Sequence, residues 1–106
     1  MENFSLERSG STLTLHISEE LDHHMAAQVS RTLDSQIEKG MIRTLIFDFT
    51  GMTFMDSSGI GMVTGRYRKM NLLGGRTYVS GIGPAIDRIF TMSGIYHIIP
   101  KYEERM

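Results

Sequence analysis

The amino-acid sequence predicts a single α/β domain with a mixed, mostly parallel sheet of four or five strands. Two observations lead to this prediction. Strand-like and helix-like stretches alternate along most of the chain, and parallel strands need long crossovers that helices usually supply. Such crossovers are right-handed almost without exception. The 106 residues suffice for one hydrophobic core, so residues 1–106 are expected to form one domain.

The amino-terminal part predicts a β-hairpin followed by a helix. Apolar and polar residues alternate over residues 4–6 and 12–17, on either side of a Ser-Gly-Ser turn. Asp22 is a suitable N-cap for the next helix, and Gly40 ends it. The predicted buried stripe of this helix is Ala26, Val29, Leu33 and Ile37.

A second strand and helix follow. The nearly continuous apolar run at residues 43–49 is typical of a buried parallel strand. A helix is then expected to begin between Asp56 and Ser58, because an acid and two hydroxyls favour caps over helix interiors. Its predicted core face is Ile60, Val63, Tyr67 and Met70.

The last third of the chain predicts one more strand-helix unit and a short final strand. Gly74 and Gly75 end the central helix, and residues 77–80 form a strand. Pro84 opens a helix that ends at Ser93-Gly94. The expected inward residues of that helix are Ile86, Ile89 and Phe90, and the expected last strand is His97-Ile98-Ile99.

The outer face of the central helix has an unusual composition. Two glycines in a helix interior cost roughly 1 kcal/mol each relative to alanine, so close approach of another protein is predicted there. Packing of the glycines against their own sheet is the alternative. The predicted outer face comprises Ser58, Gly61, Met62, Gly65 and Lys69, with Arg66 and Arg68 on its flanks.

Composition excludes several classes of function. A net charge of −1 and a pI near 6.4 give no electrostatic reason to expect nucleic acid or a membrane surface as partner. The chain has no cysteine, which excludes disulfides and thiolate sites. The amino terminus has no basic-then-apolar leader and no run reaches membrane-spanning length. A cytoplasmic protein with a protein partner is expected.

The sequence indicates no catalytic residue, metal or cofactor of its own. The G-x-S-x-G pattern of hydrolases and the P-loop pattern are both absent, although direct nucleotide binding stays open as an alternative. The adjacent His23 and His24 point about 100° apart in a helix, which does not suit a metal site. The residues that could act as bases, if folding brought one to Ser58, are His16, His23, His24 and His97.

Modification suits Ser58 better than catalysis does. Phosphorylation would add about −1.5 to −2 charges to a small neutral hydroxyl. The helix amino terminus tolerates an anion. A partner that covers Ser58 closely does not, so we expect phosphorylation to eject that partner without refolding the domain.

Four segments in register resemble the STAS domain of anti-sigma factor antagonists, including its sporulation branch. The resemblance spans most of the chain and implies a coiled βα fold with helices mainly on one face. It also implies a carboxyl tail longer than the one that ends at Met106. The segments are residues 20–24 (Glu-Leu-Asp-His-His), 54–61 (Phe-Met-Asp-Ser-Ser-Gly-Ile-Gly), 65–67 (Gly-Arg-Tyr) and 92–95 (Met-Ser-Gly-Ile).

This resemblance implies a phosphorylation switch. The unphosphorylated domain is expected to bind an anti-sigma factor that is also a serine kinase and that holds the ATP or ADP. Binding releases the sporulation sigma factor, the kinase phosphorylates Ser58, and a serine phosphatase of the PP2C type restores the active form. Ser57 is expected to be the helix cap and a minor acceptor. Alternatives are a scaffold STAS domain or an antagonist in a stress-response sigma pathway.

The predicted partner-binding residues combine the helix face with the edge of the first helix. Asp56 is a second candidate for the cap of the central helix, and it would add repulsion after phosphorylation. The basic residues would meet acidic groups on the kinase, or else be ordinary solvated charges. The predicted set is Asp22, His23, His24, Asp56, Ser57, Ser58, Gly59, Gly61, Met62, Gly65, Arg66, Arg68 and Lys69.

Overall fold

A computed structural model describes residues 4–18 and 20–102. A short 3-10 helix, Ile95–His97, follows the last α-helix. The other elements occur in the order β1 (Phe4–Ser9), β2 (Thr12–Ile17), α1 (His23–Lys39), β3 (Thr44–Asp48), α2 (Ser57–Leu72), β4 (Arg76–Ser80) and α3 (Pro84–Ser93).

The four strands form one sheet in the order β1-β2-β3-β4. β1 and β2 are antiparallel, as a tight turn requires, whereas β2, β3 and β4 run parallel. Leu15 lies opposite Phe47, and Phe47 lies opposite Val79. This register places the carboxyl ends of β2, β3 and β4 at one edge, and the chain enters α1 and α2 from that edge.

One face of the sheet packs against the buried stripes of all three helices in a single core. The predicted stripe of α1 is confirmed: Ala26, Val29, Leu33 and Ile37 are all buried. The opposite face of the sheet is polar and partly exposed, and a groove there is lined by Glu7, Ser9, Thr12, Thr14, His16, Ile46, Asp48, Ser80 and Tyr102.

The predicted last strand is wrong. His97 belongs to the 3-10 helix, and strand-like pairing occurs only further on, where Lys101 forms an isolated parallel bridge with Val79. The Tyr102 N–H donates to the Val79 carbonyl at 2.7 Å. The apolar residues near position 98 therefore follow the 3-10 helix and reach the core through Ile99, which is fully buried.

The predicted core face of α2 is rotated relative to the observed one. Val63 and Met70 are buried as expected, but Ile60 and Tyr67 are only partly buried. Met62, expected on the outer face, is 3% exposed. The reason is that α2 packs against α1 as well as against the sheet, which widens its buried arc toward α1.

Candidate functional site

The amino termini of α1 and α2 lie side by side at the carboxyl edge of the sheet. Leu21 and Met55, the second residue before each helix, form an isolated parallel bridge and are both buried. Each helix then has an aspartate as its N-cap, Asp22 for α1 and Asp56 for α2. The bridge explains why two helix starts that are 34 residues apart in sequence meet in space.

The cap of α2 fixes the position of Ser58. Asp56 Oδ1 accepts hydrogen bonds from the Ser58 N–H at 2.8 Å and from the Gly59 N–H at 3.3 Å. The prediction that the helix starts between residues 56 and 58 is confirmed. Of the two cap candidates, the favoured one, Ser57, is wrong, and Asp56 caps the helix. Ser57 is the first helical residue and is exposed.

The structure brings His23 to Ser58. The Nδ1 atom of His23 lies 3.4 Å from the Ser58 Oγ atom, across the junction of the two helices. His23 is exposed and Ser58 is partly buried. His24, the next residue of the same helical turn, is also exposed. Of the four histidines that the sequence offers, folding therefore selects His23 as the neighbour of the predicted modification site.

The three glycines of α2 have two different roles. Gly59 is buried, and a Cβ atom on it would collide with Met55 and Leu21, so this glycine permits the close approach of the two helix starts. By contrast, a Cβ on Gly61 or Gly65 would meet no atom within 4 Å. The prediction that these two glycines face away from the sheet is confirmed, and the alternative of packing on the protein's own sheet does not hold.

A shallow groove of about 230 Å³ runs between α1 and α2 from the paired amino termini. Ser58 and His23 line it together with the small residues of α1. Met62 also lines it but is almost fully buried, so this side chain forms part of the support rather than of an exposed face. The full lining is His23, Ala26, Ala27, Ser30, Ser58, Gly61, Met62 and Arg66.

Two of the three predicted basic contact residues make ion pairs within the chain. Arg66 Nε lies 3.0 Å from Asp34 Oδ1 on α1, although its N–H is not aligned for a hydrogen bond. Lys69 contacts Glu38, and its Nζ lies 3.6 Å from Asp34 Oδ1. The hydrogen bond with Glu38 and the charge of Asp34 raise the pKa of Lys69. Arg68 is exposed.

A second group of titratable side chains lies on the open face of the sheet. His16 Nε2 is 2.8 Å from Glu7 Oε1, and His16 Nδ1 is 2.7 Å from Asp48 Oδ2. The hydrogen bond with Glu7, and then that with Asp48, raise the pKa of His16 above its ordinary value despite partial burial. Burial would raise the pKa of Asp48, but hydrogen bonds from Thr50 and His16 outweigh it and lower that pKa. No local pattern in the sequence predicts this group, because its members come from three strands.

The described residues provide no metal centre and no membrane span. Over residues 4–18 and 20–102, no cluster of three or more potential metal-binding side chains is found. No helix in that part of the chain is long and apolar enough to cross a membrane.

Comparison with known proteins points to one family. The model of the STAS domain matches residues 3–105. A relative from Paenibacillus polymyxa, named anti-sigma F factor antagonist, is 33% identical over 101 residues, which cover 95% of this chain and 86% of the relative. A second protein of that name, from Lysinibacillus sphaericus, is 35% identical over 94 residues, with 88% and 80% covered. An anti-sigma-B factor antagonist from Listeria monocytogenes is 26% identical, with 88% and 81% covered.

Solved structures agree with this match. The anti-sigma factor antagonist SpoIIAA in its unphosphorylated form superposes with a TM-score of 0.85 at 33% identity, covering 95% of this chain and 89% of that one. SpoIIAA from Bacillus in its phosphorylated form gives a TM-score of 0.77 at 33% identity, with 95% and 92% covered. The four-stranded mixed sheet and three helices described above are thus the SpoIIAA fold, and the chain belongs to the STAS domain family.

Proposed function

We propose that the chain is an anti-sigma factor antagonist that docks through the start and open face of α2 and is switched off by phosphorylation of Ser58. The observation that carries this proposal is the position of Ser58. Its hydroxyl lies at the amino terminus of α2, beside two glycines that face open space. A partner can approach the backbone closely there, and a phosphoryl group would occupy the same space with added charge.

The sigma F pathway of sporulation is the proposed context. Relatives named anti-sigma F factor antagonist are 33–35% identical to this chain, whereas the relative named anti-sigma-B factor antagonist is 26% identical. This difference favours sporulation over a stress-response pathway. The family and the names of these relatives describe regulators and not enzymes, in agreement with the predicted absence of catalytic residues.

In the proposed cycle, two partner proteins in the cytoplasm catalyse the reactions on this chain: a kinase and a phosphatase. The anti-sigma factor is a serine kinase and holds the ATP. The Ser58 Oγ atom takes the γ-phosphoryl group, the bond between the β and γ phosphates breaks, ADP leaves and the hydroxyl proton is lost. A serine phosphatase of the PP2C type then hydrolyses the phosphoserine. The solved relative in its phosphorylated form supports such a cycle for this fold.

The docking surface that the geometry supports is smaller than the predicted set. Ser57, Gly61 and Arg68 are exposed along α2, and Gly65 opens onto free space. At the adjoining edge, the exposed start of α1 contributes Asp22, His23 and His24. Gly59 and Met62 are buried and act as support. Arg66 and Lys69 form ion pairs that link α2 to α1. Their side chains would have to leave these pairs in order to contact the partner.

Phosphoryl transfer from the kinase tests the proposal directly. The protein is incubated with the anti-sigma F kinase and labelled ATP, alongside the variants Ser58→Ala and Ser57→Ala. We expect label on the wild type and on Ser57→Ala at similar rates and none on Ser58→Ala. Label on Ser58→Ala at the rate of the wild type would overturn the assignment.

Sedimentation separates the proposal from the scaffold alternative. A scaffold STAS domain would form large assemblies of its own kind, whereas an antagonist is expected to stay small and to form a defined complex with the kinase.

Direct nucleotide binding is tested on the purified chain alone: turnover or binding of ATP at millimolar concentration would favour that alternative over the antagonist.

A further inference from the structure

We propose that His23 is a positioning residue for phosphorylated Ser58: its imidazolium donates a hydrogen bond from Nδ1 to a phosphate oxygen and holds the phosphoryl group between α1 and α2. This inference rests on phosphorylation of Ser58 under the proposed function. It goes further because it assigns a counter-ion within the chain itself to the phosphorylated, inactive form.

The geometry already brings the two groups together. His23 Nδ1 lies 3.4 Å from the oxygen that would carry the phosphoryl group. In phosphoserine, phosphorus is bonded to this oxygen and carries three further oxygens close to it. Because His23 is exposed, its side chain can turn to reach one of them. A hydrogen bond between a charged donor and a charged acceptor is shorter and stronger than a neutral one, so phosphorylation should tighten this long contact.

Three of the backbone N–H donors near the site are already in use. The N–H groups of Ser58 and Gly59 donate to Asp56 Oδ1, and the N–H of Met25 donates to Asp22 Oδ1. The helix amino termini therefore offer the phosphate less than free N–H groups would. The two capping carboxylates also repel a dianion, which increases the need for a nearby cation.

Among the described residues, the charged groups around the site leave His23 as the cation in contact with Ser58. The charged or titratable side chains at the two helix starts are Asp22 and His23 on α1 and Asp56 on α2, and Arg66 lines the groove beyond them. Arg66 is two helical turns beyond Ser58 and pairs with Asp34. His24 shares the first turn of α1 but points about 100° away.

Such a contact makes the phosphorylated state depend on pH. A free phosphoserine loses its second proton near pH 6. Because the imidazolium stabilises the dianionic phosphate, this second ionisation should occur at a lower pH in the protein. The phosphate is then partly neutralised and held in one place on the surface that both the kinase and the phosphatase must recognise.

Phosphorus NMR of protein carrying phosphoserine at position 58, installed by chemical ligation, tests this without any kinase. The midpoint of the phosphorus shift against pH is compared between the wild-type background, His23→Gln and the matched control His24→Gln. We expect the wild-type midpoint to lie about 0.5 pH unit below that of His23→Gln and close to that of His24→Gln. His23→Lys keeps a cation and should restore the low midpoint.

Equal midpoints in the wild type and His23→Gln would overturn the inference, as would a larger effect of His24→Gln. Circular dichroism verifies that each variant is folded, which is expected because both histidines are exposed. The readout involves neither partner nor sigma factor. A negative result would leave the proposed antagonist function standing, and a failed kinase assay would leave the phosphate contact measurable.

Discussion

At Ser58, a hydroxyl group is held at a partner-accessible edge by contacts that do not use the hydroxyl itself. The backbone N–H of Ser58 is fixed by Asp56, while the one hydrogen-bond contact of the Oγ atom within residues 4–18 and 20–102 is the long one with His23 at 3.4 Å. The residue can therefore change its charge without loss of a strong bond inside the domain. The same change is costly at an interface, where a charge must be desolvated.

Replacing Ser58 by an acid should mimic that cost. We expect Ser58→Asp to weaken binding to the anti-sigma factor by at least about 1.4 kcal/mol, which is tenfold in affinity. Ser58→Asn is the matched control, because asparagine has nearly the same volume as aspartate but no charge. Titration calorimetry measures both. Similar losses in the two variants would show that bulk and not charge ejects the partner.

The His16 group gives a stability prediction at the same scale. The pKa of His16 is raised in the folded state, so its contribution is complete below the unfolded value near 6.5 and is lost as the pH rises through the folded value. The pKa of Asp48 is lowered, so its contribution is complete above the unfolded value of 3.8 and is lost as the pH falls through the folded value.

We therefore expect the free energy of unfolding to fall between about pH 5.5 and 8.5 by up to about 1 kcal/mol. The effect is small because His16 is partly exposed and Glu7 is exposed. Urea unfolding at the two pH values measures it. His16→Gln, which cannot gain the proton, should lose most of this difference. An unchanged difference in that variant would assign the pH dependence to other groups.

At the scale of elements, α2 serves two surfaces whose requirements differ. Its inner arc, at residues 59, 62, 63, 66 and 70, follows helical spacing and faces the sheet and α1. Its outer side has two glycines at which an added Cβ atom would meet open space. Alanine at those exposed positions would make the helix more stable. The outer glycines therefore favour a docking surface at the expense of helix stability.

Alanine substitutions should separate the two surfaces. We expect Gly61→Ala and Gly65→Ala each to stabilise the domain by up to about 1 kcal/mol, because the new methyl group meets open space. Gly59→Ala should destabilise it by roughly 1–3 kcal/mol, because Met55 and Leu21 must move. Thermal and urea unfolding measure these changes.

Binding should respond in the opposite sense at the outer positions. The methyl groups that stabilise the free domain would hold the anti-sigma factor away from the helix backbone, so both outer variants are expected to bind more weakly than the wild type. Wild-type affinity in both would argue that the partner does not dock on this face.

At the scale of the whole molecule, the proposed modification site lies at the margin of a single core. The sheet face and all three helices share that core, while Ser58 is only partly buried at its edge. Relatives in the unphosphorylated and phosphorylated forms both superpose on this chain, with TM-scores of 0.85 and 0.77. A local switch that leaves the architecture intact fits these observations.

Phosphorylation should therefore perturb the domain only near the paired helix starts. We expect amide NMR signals to shift for residues 21–25 and 55–62 and to stay in place for β4 and α3, because no residue of either element lines the groove at Ser58. Hydrogen exchange in the core strands should be unchanged. Altered exchange in β4 would indicate a domain-wide change of conformation and would contradict a switch that acts by local charge.

Sequence alone determined the features that depend on neighbours along the chain. The hairpin, the stripe of α1 and the start of α2 follow from residue periodicity and capping residues, and the structure confirms each. The assignment of Ser57 as cap failed because Asp56, one residue earlier, also suits that role and accepts two N–H groups. The final strand failed because a short apolar run has the same composition in a strand as at the end of a helix.

Only the tertiary structure decided which distant residues meet. The burial of Met62 and the pairing of Arg66 with Asp34 depend on α1 packing beside α2, and the periodicity within one helix does not reveal a second neighbour. The contact of His23 with Ser58 joins residues 35 positions apart. It exists because the bridge between Leu21 and Met55 aligns two helix starts, a constraint that arises from strand pairing and leaves no mark on local sequence.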